Sequence, residues 1–143
     1  MLKLTETLQT GEIADDTLSL VFSDRQKTRQ PAITKSGIQV GLFLQRGQSL
    51  RSGLVLTGSQ GYKVRVEAAP EALSVVHCQD DLLFARACYH LGNRHVALQI
   101  MPHELRYLAD HVLDSMLIGL GLQVEHLTLP FEPETGAYHT HAG

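Results

Sequence analysis

The order of strand-like and helix-like segments after residue 70 constrains the fold of this sequence more than any other feature. Two segments have the pattern of amphipathic helices: one begins at Asp80–Asp81 and ends at Gly92–Asn93, and the other is residues 109–122. Four runs have the composition of strands, at residues 72–78, 95–101, 104–108 and 123–129. The order strand, helix, strand, strand, helix, strand predicts a ferredoxin-like βαββαβ domain, an antiparallel sheet with two helices on one face.

The first half of the chain contains short strand-like runs that glycines separate. The runs are residues 17–22, 38–44, 53–58 and 62–68, and the charged, proline-containing stretch SDRQKTRQP follows the first of them. No helix-length amphipathic pattern occurs in this half. We therefore predict an α+β protein of two domains, with a small all-β domain at residues 1–70 and the ferredoxin-like domain at residues 71–143, joined near Pro70.

Composition argues against several functional classes. The net charge of −3 is opposite to that of a nucleic-acid-coating or acidic-membrane-binding surface. The sequence has no run as long as the roughly 18 apolar residues of a transmembrane helix, and its first residues lack the pattern of a signal peptide. Two cysteines do not make a disulfide framework, and no Gly-rich phosphate loop or GxSxG motif is present. We expect a cytoplasmic protein that contacts neither nucleic acid nor membranes.

The histidines are confined to the second half of the chain. All eight lie at position 77 or later, which assigns metal or proton chemistry to the ferredoxin-like domain. His111 is the most informative of them, because on a helical wheel it lies opposite the arc predicted to cover the sheet. That arc contains Val112, Leu113, Met116, Leu117 and Leu120.

The outer stripe of the second predicted helix indicates a protein contact. Ser115 and Ile118 share this stripe with His111, and an exposed isoleucine is typical of an interface. If the partner is a second copy related by a two-fold axis, the two His111 side chains converge and can share a metal ion. Asp110 and Asp114 flank His111 in sequence and could hold the ligands in place. A solvated surface histidine is the alternative interpretation.

Several stretches resemble the family of urease accessory protein E, a nickel metallochaperone. DRQKTRQP and the following GIQVGLFLQRGQSLRSGLVL resemble its N-terminal β-domain, and CYHLGNRHVALQIMPHELRYLADHVLDSMLIGLGL and LPFEPETGAYHTH resemble its most characteristic stretches. The resemblance covers essentially the whole chain. It implies a peptide-binding-like N-terminal domain for partner docking, and a ferredoxin-like metal-binding domain through which the protein forms a homodimer.

The resemblance also implies a metal, a set of ligands and partners. His111 matches the central Ni²⁺ ligand of the family, contributed once by each protomer, and His126, His139 and His141 stand where relatives carry peripheral or tail histidines. The implied partners are the urease apoprotein and its other accessory proteins, including the GTPase accessory protein. Cu²⁺ or Zn²⁺ are expected to substitute for Ni²⁺ in vitro.

Two other functional classes stay open from the sequence. One is a metal-dependent enzyme that uses His111 and Asp114, which would require an open coordination position and a substrate pocket. The other is an adaptor or general divalent-metal storage protein without a role in urease maturation. His77, His90, His95 and His103 are weaker candidates, because they fall on a strand or at turns without a matching ligand nearby.

Overall fold

The computed structural model describes residues 1–136, and the chain divides into two compact units between Ala69 and Pro70. The first unit consists of seven strands and one short helix. In chain order these are β1 (Leu2–Leu4), β2 (Glu6–Leu8), β3 (Asp16–Leu20), α1 (Phe22–Arg25), β4 (Arg29–Ile33), β5 (Gln39–Phe43), β6 (Val55–Thr57) and β7 (Val64–Ala68).

Two sheets form the first unit and enclose its core. One has the order β1-β5-β4 and the other the order β2-β6-β7-β3. The core between them is aliphatic, and its fully buried members include Leu4, Val40, Leu42, Leu56 and Val66. The predicted all-β domain is confirmed in class, but three strands and the single-turn helix were not predicted.

The missed elements are short or contain a residue that usually breaks a strand. Strands β1 and β2 have three residues each, too few for an alternating pattern to be visible. Strand β4 contains Pro31, which a sequence argument places in a loop. Here β4 is an edge strand, and the bonds from Thr34 N to Ile38 O and from Leu44 N to Thr28 O show that even-numbered residues of β4 face β5. The backbone nitrogen of Pro31, which has no hydrogen to donate, therefore faces the open side of the sheet, where there is no partner strand.

The second unit is the predicted ferredoxin-like domain. Its elements are β8 (Pro70–His77), α2 (Asp81–Asn93), β9 (Gln99–Met101), β10 (Glu104–Leu108), α3 (His111–Gly119) and β11 (Glu125–Pro130). The sheet has the antiparallel order β11-β8-β10-β9, in which the first and third strands of the domain are central. This βαββαβ arrangement confirms the predicted fold class.

Aspartate side chains cap the N-termini of the two longer helices. The Asp80 carboxylate accepts from Leu83 N at 3.0 Å and begins α2, and Asp110 accepts from Val112 N and Leu113 N and begins α3. Helix α3 ends where Gly121 adopts a left-handed conformation, and Leu122 N then bonds to Leu117 O.

Within residues 1–136, no helix is long and apolar enough to cross a membrane.

The buried face of α3 differs from the predicted one. Leu113 and Leu117 pack on the sheet as expected, but Val112 is 52% exposed and Asp114 is buried. The prediction for Val112 was wrong because Asp114 accepts hydrogen bonds from the sheet below the helix. That anchoring turns the Asp114 side of α3 inward and the Val112 side outward.

A close approach between Gly58 and the N-terminal strand provides a test of the first unit. A Cβ at position 58 would lie well under 3.0 Å from the backbone carbonyl oxygen of Lys3, so we expect Gly58→Ala to lower the free energy of unfolding by about 1–3 kcal/mol. Gly92→Ala, in a helix with open space around the added methyl, is the control and should not destabilise the protein. Chemical denaturation measures both, and equal stability of the two variants would contradict this packing.

Candidate metal site

A buried carboxylate with three hydrogen bonds lies beneath α3. Asp114 Oδ1 accepts from the Tyr107 hydroxyl at 2.6 Å and from Ser74 Oγ at 2.7 Å, and Asp114 Oδ2 lies 2.7 Å from His126 Nε2. Ser74 and Tyr107 are fully buried, and Asp114 is 8% exposed. The His126 side chain is 64% exposed, so the cluster connects the core of the domain to its surface.

The register of the sheet brings the three partners of Asp114 into one row. Ser74 on β8 pairs with Tyr107 on β10 and also with His126 on β11, so these side chains are neighbours on three adjacent strands. Side chains at paired positions lie on the same face of a sheet. Helix α3 packs on that face, and Asp114 meets the row from above.

The environment keeps Asp114 ionised and Tyr107 protonated at neutral pH. Burial by itself would raise the pKa of Asp114, but the hydrogen bonds from Tyr107, Ser74 and His126 outweigh it and lower this pKa, as does the charge of His126 when its ring is protonated. Burial raises the pKa of Tyr107, and its hydrogen bond to Asp114 raises it further. The cluster is thus a stable set of donors around an anionic acceptor.

His111 is exposed, as predicted, and is the first residue of α3, which is shorter than the predicted helix at residues 109–122. Its surroundings on the outer surface include Ser115, which is exposed, and the apolar side chains of Val112 and Ile118, which are 52% and 58% exposed. Asp110 precedes it, and its carboxylate is bonded to the first amides of the helix.

Asp114 does not lie where the sequence places it. We predict it beside His111 as a supporting carboxylate, but its hydrogen bonds go to Ser74, Tyr107 and His126. The physical reason is that the two buried hydroxyls offer a desolvated carboxylate the donors it requires. Asp114 therefore supports His126, a pairing that the sequence did not reveal.

Ser74 and Tyr107 were missed as members of the site. The sequence does carry a weak signal for both: Ser74 interrupts the apolar run ALSVV, and Tyr107 alternates with Leu105 on the apolar face of ELRYL but carries a hydroxyl. A polar side chain on a buried strand needs a partner, and the nearest acidic residue on the covering helix is the natural candidate.

Three of the other histidines in residues 1–136 contact groups of the ferredoxin-like domain. His77 lies between two glutamates, with Nδ1 3.8 Å from Glu104 and Nε2 3.4 Å from Glu125. His103, in a left-handed turn, bonds through Nδ1 to the carbonyl oxygen of Cys78, and His90 contacts the edge of the Tyr89 ring.

Residues 1–136 offer a metal ion single histidines rather than a closed set of ligands. Within residues 1–136, no group of three or more His, Cys, Asp or Glu side chains could hold an ion. The predicted ligands His139 and His141 lie outside the described residues. Imidazole nitrogens with oxygen ligands nonetheless suit Ni²⁺, so the chemistry of His111 and His126 fits this ion if other groups complete the coordination.

Comparison with known proteins matches both units of the chain. The protein-family model described as "UreE urease accessory protein, N-terminal domain" matches residues 2–69. The family model for the C-terminal domain of the same protein matches residues 71–143. A protein named urease accessory protein UreE from Alkalilimnicola ehrlichii is 56% identical over 138 residues, covering 96% of this chain and 85% of the relative. Proteins of the same name from Pseudomonas putida strain W619 and Citrobacter koseri are each 50% identical, covering 98% and 96% of this chain and 88% and 91% of their own.

Removal of one hydroxyl tests the energetic importance of the cluster. Tyr107→Phe leaves the ring in place but deprives the buried carboxylate of a donor, so we expect the free energy of unfolding to fall by about 1.5–3 kcal/mol. Tyr89→Phe removes the same atom from a side chain that is 67% exposed, and should change stability by less than about 0.5 kcal/mol. Urea denaturation of the two variants distinguishes them, and a Tyr107→Phe protein as stable as the control would contradict this role.

Proposed function

Because the chain belongs to the UreE family of urease accessory proteins, we propose that it is a nickel metallochaperone that delivers Ni²⁺ for urease maturation. The observation that carries this proposal is the match of both family domains across nearly the whole chain. The protein works as a cytoplasmic homodimer, and its partners are the urease apoprotein and its other accessory proteins, including the GTPase accessory protein.

The dimer interface is the outer surface of α3. Val112 and Ile118 are large apolar side chains that are more than half exposed in the single chain, and burying them against a second copy removes apolar area from water. A two-fold contact places the same surface on both sides, so Ser115 and Ile118 meet their counterparts. His111 belongs to this surface, and each protomer contributes one imidazole to a shared Ni²⁺.

The incomplete ligand set suits carriage of the ion rather than turnover of a substrate. Two His111 imidazoles leave coordination positions for water or for supplementary histidines, and His126, His139 and His141 are the candidates. Ligands that are few and not enclosed allow an ion to pass to a partner, whereas a closed site with four protein ligands retains it. The inward position of Asp114 argues against an enzyme site shared by His111 and Asp114.

The N-terminal domain serves as the docking module for the urease complex. It exposes Ile33 and Phe43, which are 64% and 41% accessible, and a groove of about 420 Å³ lies beside Ile33. Met1, Pro31 and Val40 also line this groove. An apolar groove on a small β-domain is a surface on which an extended segment of another protein can bind.

The alternative is a general divalent-metal storage or adaptor protein without a role in urease maturation. A storage protein would also need His111, so metal binding alone does not separate it from a metallochaperone, whereas an adaptor with incidental histidines would take up no divalent metal. A chain that binds Ni²⁺ but does not associate with urease apoprotein or raise urease activity in a reconstituted maturation assay would favour storage.

Loss of His111 tests the shared metal site. We expect His111→Ala to abolish the tightest class of Ni²⁺ binding in isothermal titration calorimetry, because both imidazoles of the dimer are removed at once. His77→Ala is the matched control, since His77 is also an exposed histidine of the same domain but is flanked by Glu104 and Glu125. An unchanged tight class in His111→Ala, or its loss in His77→Ala, would contradict the assignment.

A charge placed in the interface tests the dimer. Ile118→Asp puts two carboxylates against each other across the two-fold axis, so we expect dimerisation to weaken about tenfold or more. Ile13→Asp makes the same change on the N-terminal domain, at a residue that is 85% exposed, and should leave the dimer intact. Sedimentation or light scattering over a range of concentrations measures both, and a monomeric wild type would refute the interface.

A further inference from the structure

We propose that Asp114 is the positioning residue of His126, and that it holds the imidazole as the Nε2–H tautomer with Nδ1 as the nitrogen available to a metal ion. The role of the metal rests on the proposed function, whereas the tautomer follows from the hydrogen bonds of this chain alone. His126 thereby becomes a ligand with a defined donor atom rather than a loosely held surface histidine.

The two oxygens of Asp114 have different partners. Oδ1 accepts from the hydroxyls of Ser74 and Tyr107, at 2.7 Å and 2.6 Å. Oδ2 is directed at His126 Nε2, at 2.7 Å. A carboxylate in this arrangement is an acceptor only, so the hydrogen in the third contact must be on Nε2. A neutral imidazole with hydrogen on Nε2 has its lone pair on Nδ1.

The hydrogen bond to Asp114 also fixes the direction of the ring. Asp114 is itself anchored by two fully buried side chains, so its position does not depend on solvent-exposed groups. A carboxylate behind a metal-binding histidine orients the ring and increases its basicity, and loss of such a partner typically lowers metal affinity about 10–100-fold.

His77 differs from His126, because it also lies beside carboxylates but makes no short hydrogen bond to a buried one. Both of its ring nitrogens face glutamates, at 3.8 Å and 3.4 Å, and Glu125 is exposed. Neither contact therefore determines which ring nitrogen of His77 carries the hydrogen. One ring nitrogen of His126 is hydrogen-bonded to a buried acceptor, so only the other nitrogen can coordinate a metal ion.

Asp114→Asn should remove the constraint on His126. The hydroxyls of Ser74 and Tyr107 can donate to an amide oxygen or accept from an amide nitrogen, so the Asn amide can face His126 Nε2 with either atom. In both cases the ring loses the anionic acceptor that orients it and increases its basicity. Asp110→Asn is the matched control, because it makes the same change of charge on the same helix and asparagine caps helices equally well.

Long-range ¹H–¹⁵N correlation spectra of the full-length chain read both ring nitrogens of His126, with His126→Ala to assign the signals. In wild type and Asp110→Asn we expect hydrogen on Nε2, and added Zn²⁺, a diamagnetic probe, should shift Nδ1 while Nε2 stays protonated. In Asp114→Asn we expect an affinity of His126 for Zn²⁺ that is about 10–100-fold lower.

Three results would overturn the proposal: hydrogen on Nδ1 in wild type, displacement of the Nε2 hydrogen by Zn²⁺, or an unchanged affinity of His126 for Zn²⁺ in folded Asp114→Asn. If Asp114→Asn did not fold, the wild-type spectrum would still decide the tautomer. These results do not depend on nickel binding at His111, so failure of the proposed metallochaperone function would leave the assignment of Asp114 standing.

Discussion

The carboxylate of Asp114 is the interaction on which the second domain depends. A buried carboxylate without hydrogen-bond donors would cost several kcal/mol, so its three partners must be in place for α3 to pack. They come from β8, β10 and β11, and the helix is therefore fixed over three strands by one side chain. This contact sets the rotation of α3, which leaves Val112 exposed and buries Leu113 and Leu117.

The hydrogen bonds of Asp114 also position the two histidines of the proposed metal site. His126 takes its orientation from Asp114 directly, while His111, at the start of the same helix, takes its exposed position from the rotation that Asp114 imposes. One buried residue thus acts on both described histidines proposed to meet the metal. Within residues 1–136 neither histidine belongs to a group of three or more ligand side chains, and for this reason the proposed site includes a second chain.

The sequence allowed the fold class to be predicted, but only part of the site. Helix α2 and strand β10 were predicted correctly because Asp80 caps the former and Glu104–Leu108 alternates within the latter. These are local signals. The bond from Ser74 to Asp114 joins residues 40 positions apart, and the sequence placed Asp114 only beside its neighbour His111. The sequence also placed Pro31 outside a strand, because only the sheet order and the hydrogen-bond register show that its nitrogen faces the open edge.

The most direct measurement of the central claim is a nickel-edge anomalous difference map from crystals of the Ni²⁺-loaded full-length chain. A metallochaperone with an interface site should show its strongest peak on a two-fold axis between the two His111 side chains, and any second peak at Nδ1 of His126. A strongest peak elsewhere, such as at His77, or protomers that do not meet through α3, would contradict the proposed site and its dimer.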